Sequence, residues 1–256
     1  MDFGLTGKVA VVAGGSRGCG LAIARELARE GAAVVLTGRH RDIVDAAADR
    51  IRSEGGTVYG LTSGMVTQDE ATHIANVARQ EFGDPGILVV NPPTPGNVAG
   101  FFEVSDDDYL RAHENFNMPL VRLGRELIPA MQRNQWGRIV NMASVGVKIP
   151  HLKFLLYATN VRVASAAIAK TMSFEFAKDN ITVNTIATGP FPSALADQYN
   201  KDAGYADDRI AKSTPMKRLG RTEEMAAIVS FLCSDRASFV SGETIRVDGG
   251  STMNLF

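Results

Sequence analysis

Long hydrophobic runs are missing from this chain of 256 residues. No apolar stretch approaches the ~20 residues that a helix needs to cross a bilayer, so no membrane partner is expected. Cysteine is scarce. Cys19 lies in a glycine-rich turn and Cys233 in a predicted helix, so no disulfide framework is indicated. An excess of charge of one sign is lacking too. Twenty-seven basic and 28 acidic residues leave a formal net charge of −1, which argues against nucleic acid or an anionic membrane surface as partner. The N-terminus Met1-Asp2-Phe3-Gly4 has neither a basic flank nor an apolar signal core, and a cytoplasmic location is expected. His40, His73, His113 and His151 are scattered, with no pair at metal-ligand spacing on a helix face, so no metal is assigned.

What is present is an alternation. Strand-like segments fall at Val9–Ala13, Ala33–Thr37, Thr57–Leu61, Ile87–Asn91, Arg138–Ala143, Thr182–Ile186 and Thr244–Val247. Helix-like segments fall at Gly18–Glu30, Ile43–Glu54, Asp69–Phe82, Asp106–Asn134, about Leu155–Lys178 and Thr222–Ser234. Apolar strands separated by helices imply a parallel sheet covered on both faces. These elements fill the length, so the expectation is α/β, one domain over 1–256 with a doubly wound, seven-stranded parallel sheet. The stretch 189–215, rich in Pro, Asp and small residues, reads as a substrate loop near the carboxyl ends of the strands.

Between the first strand and the first helix runs Gly14-Gly15-Ser16-Arg17-Gly18-Cys19-Gly20. Glycines 14, 18 and 20 give the spacing GxxxGxG. Such a turn lets backbone approach a phosphate with no Cβ in the way, and aims N–H groups and the positive end of a helix at the anion. Strand before and helix after make this a Rossmann-type dinucleotide signal, with Gly14, Ser16, Arg17, Gly18, Cys19 and Gly20 as candidate cofactor residues. Sites that take NAD often carry an acid at the tip of the second strand. Here that tip reads Leu36-Thr37-Gly38-Arg39, without a carboxylate. Arg39 and Arg17 suit a 2′-phosphate, so NADP(H) is favoured over NAD(H).

At this point the chain resembles the short-chain dehydrogenase/reductase family over essentially its whole length. The glycine turn matches that family's N-terminal motif, with Ala13 for the usual Thr. Ile139-Val140-Asn141-Met142-Ala143-Ser144 looks like the strand ending in the catalytic Ser. Ile181–Ile186 followed by Gly189 resembles the strand and nicotinamide-side loop, and Ser241–Gly250 the C-terminal signature. The resemblance implies Asn91, Gly189, Phe191 and Ser193 as further cofactor residues. It implies that Ser144 and a Tyr bind the substrate oxygen, that the Tyr exchanges the proton, and that a Lys four residues later holds the nicotinamide ribose and lowers the Tyr pKa. A phenol of pKa ~10 needs such a cation to work near neutral pH. Family members are commonly tetramers or dimers, so a homo-oligomer is expected.

The chain departs from the family at its centre. Tyr157 follows Ser144 at the expected spacing, but Val161 stands four residues after it and Arg162 five. With Arg162 in the Lys register, Ala158 takes the Tyr position. On an ideal helix i+4 lies about 40° away and i+5 about 140° away. Two geometries reconcile Tyr157 with Arg162: a helix that starts after Tyr157, or a bulge that absorbs one residue. The usual relay Asn aligns with Phe116, flanked by Asn115 and Asn117. Met65 stands where an adenine-side Asp is usual, Pro92-Pro93 follow Asn91, and Thr188 replaces a Pro. The expectation is a divergent oxidoreductase that interconverts a carbonyl and an alcohol on a small or medium organic substrate, with Ser144, Tyr157 and Arg162 as its catalytic set. Two alternatives keep the fold without redox chemistry. One is a nucleotide-binding protein with little catalysis. The other is an enzyme like the halohydrin dehalogenases, whose set is Ser, Tyr and Arg.

Overall fold

Every residue of the first strand, β1 (Val9–Ala13), is apolar and buried, as expected of a strand covered on both faces. The structure, a computed structural model, describes residues 2–93, 101–149, 156–193, 211–212 and 214–255, without the side chains at 101 and 156–160. Glycine-started α1 (Gly18–Arg29) follows, then β2 (Ala33–Gly38), α2 (Arg41–Ser53), β3 (Val58–Thr62), α3 (Gln68–Phe82) and β4 (Ile87–Val90). The second half holds α4 (Asp106–Phe116), α5 (Met118–Arg133), β5 (Gly137–Ser144), α6 (Leu156–Phe176), β6 (Ile181–Thr188), α7 (Thr222–Cys233) and β7 (Thr244–Val247).

The seven strands form one sheet in the order β3-β2-β1-β4-β5-β6-β7, and every pairing is parallel. Alternate strand residues feed two separate cores. Ala10, Val12, Leu36, Val89, Val140 and Met142 pack under α1, α2 and α7. Val11, Ala13, Val35, Leu88, Val90 and Ile139 pack under α3, α5 and α6. The chain winds outward from β1 to β3 and then returns to pair β4 on the other side of β1. The crevice above β1 and β4 is therefore the topological switch point, where open α/β sheets bind ligands.

The sequence pattern predicts one helix over 106–134, and the structure has two. The break is Asn117, between the end of α4 and the start of α5. Pro119 lies in the first turn of α5, and a proline there has no N–H for the carbonyl of Asn115, so the α4 ladder cannot run on. By contrast α6 runs unbroken from Leu156 to Phe176. Much of the expected substrate loop lies outside the described residues, namely 194–210 and 213.

Candidate active site

The glycine turn has the cramped geometry its composition predicts. Gly14 has φ +82, and a Cβ on it would sit 2.2 Å from the Asn91 carbonyl oxygen at the end of β4. A Cβ on Gly20 would sit 2.1 Å from the Gly14 carbonyl oxygen. Both clashes are with backbone, which cannot swing aside, so any side chain at either position forces the turn open. Asn91 closes the crevice: its Nδ2 donates to the Gly14 oxygen at 3.1 Å, and its N–H to Ala13 at 2.9 Å. Thr37 fastens the turn to β2 by accepting from the Gly14 N–H at 3.2 Å. Arg17 caps α1 in an extended conformation without a side-chain cap bond, and the first turn of α1 carries no acidic residue. Its amides and its dipole are therefore available to an anion. Ser16 lies against Gly38, where a Cβ would come within 2.4 Å of its Oγ. Burial pushes the Cys19 thiol up to about 11, so it rests as a neutral thiol. These features fit a dinucleotide pyrophosphate.

Beside the turn, Arg39 is exposed at the tip of β2 and lines an open pocket of ≈ 380 Å³ with Thr62, Ser63, Gly64 and Glu70. Arg17 is not part of that lining. Sequence reading passed over Glu70. Its Oε2 accepts from the N–H groups of Val66 and Thr67 at 2.7 and 2.8 Å, completing a capping box with Thr67 at the start of α3. Met65, in contrast, is buried against Gly14 and offers the pocket no polar group.

Ser144 ends β5 at the same carboxyl edge of the sheet, paired in register with Thr188 of β6. Its Oγ accepts from the Gly146 N–H at 3.2 Å, which leaves its proton available to donate. Gly189 follows β6 and donates to Val247 at 2.9 Å, and a Cβ there would meet Asp248 Cα at 2.4 Å. Ser193, two residues beyond Phe191, is exposed. The ring of Phe191 turns into the core, where its Cζ would lie 2.4 Å from a Cβ on Gly220. Beneath the site, buried Asn141 donates to Ser165 at 3.1 Å, and Ser165 donates to the Arg162 carbonyl at 2.8 Å. That chain of bonds ties α6 to β5.

Helix α6 resolves part of the register question. Arg162, Ser165, Ala169 and Ser173 are its buried stripe. Position 158 begins that stripe one turn earlier, and position 157 begins the neighbouring one, which continues through Val161. Tyr157 lies inside the first turn of the helix, and its side chain falls outside the described residues. Neither a late start nor a bulge separates it from Arg162. Arg162 is 6% exposed, and burial brings its guanidinium pKa down to about 10. Its guanidinium carbon lies 4.5 Å from the centroid of the Phe116 ring. Two departures that look unrelated in the sequence, Arg for Lys and Phe for Asn, are thus one stacked pair. Of the flanking asparagines, Asn115 is exposed. Asn117 is fully buried, with its Nδ2 2.8 Å from His113 Nδ1 on α4.

Comparison with known proteins agrees with this geometry. A family profile described as Enoyl-(Acyl carrier protein) reductase matches residues 13–252. The chain is 30% identical to Dehydrogenase/reductase SDR family member 4 of Oryctolagus cuniculus, over 98% of its own length and 96% of that protein. It is 29% identical to 7alpha-hydroxysteroid dehydrogenase of Escherichia coli, with the same coverage. Among solved structures it superposes on L-sorbose reductase from Gluconobacter frateurii, complexed with NADPH and L-sorbose, with a TM-score of 0.92 at 33% identity over the whole of both chains.

Proposed function

The chain belongs to the short-chain dehydrogenase/reductase family, and within it we propose an NADPH-dependent enzyme that interconverts a carbonyl and an alcohol on a small or medium organic substrate. It is an oxidoreductase of the CH–OH/C=O class. One observation carries the reading. The Gly14–Gly20 cradle opens at the β1/β4 crevice, on the same carboxyl edge that bears Ser144. A dehalogenase-like chemistry has no use for such a phosphate cradle, and a pure binding protein has no use for a hydroxyl donor there.

The cradle would hold the pyrophosphate through Gly14 to Gly20 and the start of α1, with Gly189, Phe191 and Ser193 along the nicotinamide side. NADPH held there would supply the hydride for the carbonyl carbon. Ser144 donates its hydroxyl proton to the carbonyl oxygen and fixes its direction. Tyr157 gives that oxygen its proton in reduction and takes it back in oxidation. Arg162 supplies the fixed positive charge that lowers the phenol pKa and anchors the ribose, but it does not itself give up a proton. The whole chain acts as one unit, with 189–215 as the loop that selects the substrate.

Arg39 selects the phosphorylated cofactor, a choice in keeping with the L-sorbose reductase solved with NADPH. A titration followed by cofactor fluorescence tests it. NADPH is expected to bind more tightly than NADH, and Arg39→Asp to weaken NADPH alone by about 10–100-fold, the worth of a charge-assisted contact. Tight NADH with weak NADPH would refute the role given to Arg39.

We also read the protein as a cytoplasmic homo-oligomer, a tetramer or dimer. Large apolar side chains stand exposed on α4 (Leu110), on α6 (Val163 and Phe174) and in the tail (Met253 and Leu255). Large exposed apolar side chains of this kind favour association. Light scattering of the purified protein is expected to give a multiple of the 27.4 kDa chain mass, and a monomer at micromolar concentration would refute it.

A further inference from the structure

The register problem on α6 has a physical answer in the stack. Val161, on the stripe that Tyr157 begins, packs against the cluster formed by Ala112 and Phe116 on α4, with Val104 and Tyr109 around it. Arg162 belongs to the next stripe, yet its guanidinium lies over the same Phe116 ring, 4.5 Å from its centroid. The Ala112–Phe116 cluster of α4 therefore meets both azimuths of the helix, and its aromatic ring carries the guanidinium. We propose that Phe116 is a positioning residue, which draws the Arg162 guanidinium across to the side of the helix that carries Tyr157 and so restores a cation to a site where the five-residue spacing would turn it away.

The chemistry favours that arrangement. A guanidinium is planar and weakly hydrated, so it lies flat on a ring while its in-plane N–H groups remain directed to make hydrogen bonds, as with a ribose hydroxyl or a phenol oxygen. A lysine ammonium has no such plane. An asparagine at 116 would offer a polar group to a point charge, whereas a phenylalanine offers a face to a plane. The exchange of Lys for Arg and of Asn for Phe is then a single change of mechanism for holding the charge. Ring and guanidinium are both almost completely buried, which strengthens the attraction and leaves the side chains little room to rearrange. The break at Asn117 directly after Phe116 fixes where α4 stops and hence how deep the ring stands.

This inference rests on the reading of Arg162 given above, and a double-mutant cycle separates the two. The proteins are the unaltered chain, Phe116→Leu, Phe116→Tyr, Arg162→Met and the Phe116→Leu/Arg162→Met pair. The readouts are the NADPH dissociation constant by fluorescence, kcat and KM with a carbonyl substrate, and the melting temperature. Phe116→Leu is expected to lower kcat about tenfold and to weaken NADPH several-fold, the size of one desolvated cation–π contact. Phe116→Tyr keeps the face and is expected to stay within about threefold of the unaltered protein on both. In the Arg162→Met background, Phe116→Leu is expected to weaken NADPH by no more than about twofold further, because the guanidinium it positions is gone. A merely structural Phe116 would lower the melting temperature and weaken NADPH equally in both backgrounds. Such additivity, or an unchanged Phe116→Leu, overturns the inference and leaves the oxidoreductase reading standing. Failure of the unaltered protein to bind either nicotinamide cofactor overturns both.

Discussion

Tyr157→Phe is expected to lower kcat for carbonyl reduction by about 10³-fold while leaving NADPH affinity within about twofold, because a positioned acid contributes ~10²–10⁴ to rate and little to cofactor binding. The removed atom is the single hydroxyl that would hand the substrate oxygen its proton. Ser144 stays behind as a donor, but a serine hydroxyl that gives its proton outright becomes an alkoxide, whereas a phenol of pKa ~10 beside a cation gives it at modest cost. The expected pattern is therefore a collapse of kcat with an intact cofactor titration. Phenylalanine fills nearly the same volume, so the melting temperature should not move. Activity retained in Tyr157→Phe would mean that the proton comes from elsewhere. The stripe of Arg162 offers Ala158 one turn earlier, which carries no proton, so the acid would then have to come from another element or from the substrate loop.

Much of the architecture was written in the chain. Each strand core is a short apolar run, and burial on both faces is what makes such runs continuous rather than alternating. The glycine turn was legible for the same reason it works: only glycine survives 2.1–2.2 Å from a backbone oxygen where a Cβ would stand. The break between α4 and α5 was not legible. Leucines and methionines keep helical spacing straight through it, and a proline in a first turn looks the same in sequence as one in a tolerated interior such as Pro129. The Phe116–Arg162 stack was hidden more deeply. Its partners lie on different helices, and neither residue type announces a pair as Glu and Lys would. The signal lay in two family positions altered together. Phe191 shows the converse limit. The loop that carries it follows β6 as the pattern predicts, but the packing of its ring against Gly220 depends on a glycine that only the fold brings near.

Arg162→Met is expected to reduce kcat by at least 10²-fold, yet to leave the melting temperature unchanged or to raise it by a few degrees. Burial lowers the guanidinium pKa to about 10, well below the ordinary arginine value. Removing the charge from water carries a desolvation cost, which the stack on Phe116 helps to offset. Burial holds the folded-state pKa below that of the unfolded chain, so at neutral pH the whole cost of the charge is present. Methionine occupies a similar length with no charge to desolvate and still packs on the Phe116 ring. A cation kept in the interior at a desolvation cost is retained for what the charge does. The observation that would sink this argument is a melting temperature that drops by several degrees in Arg162→Met with kcat almost unchanged. Arg162 would then be a structural cation, and the positive charge that tunes the phenol would have to be sought among residues outside α6.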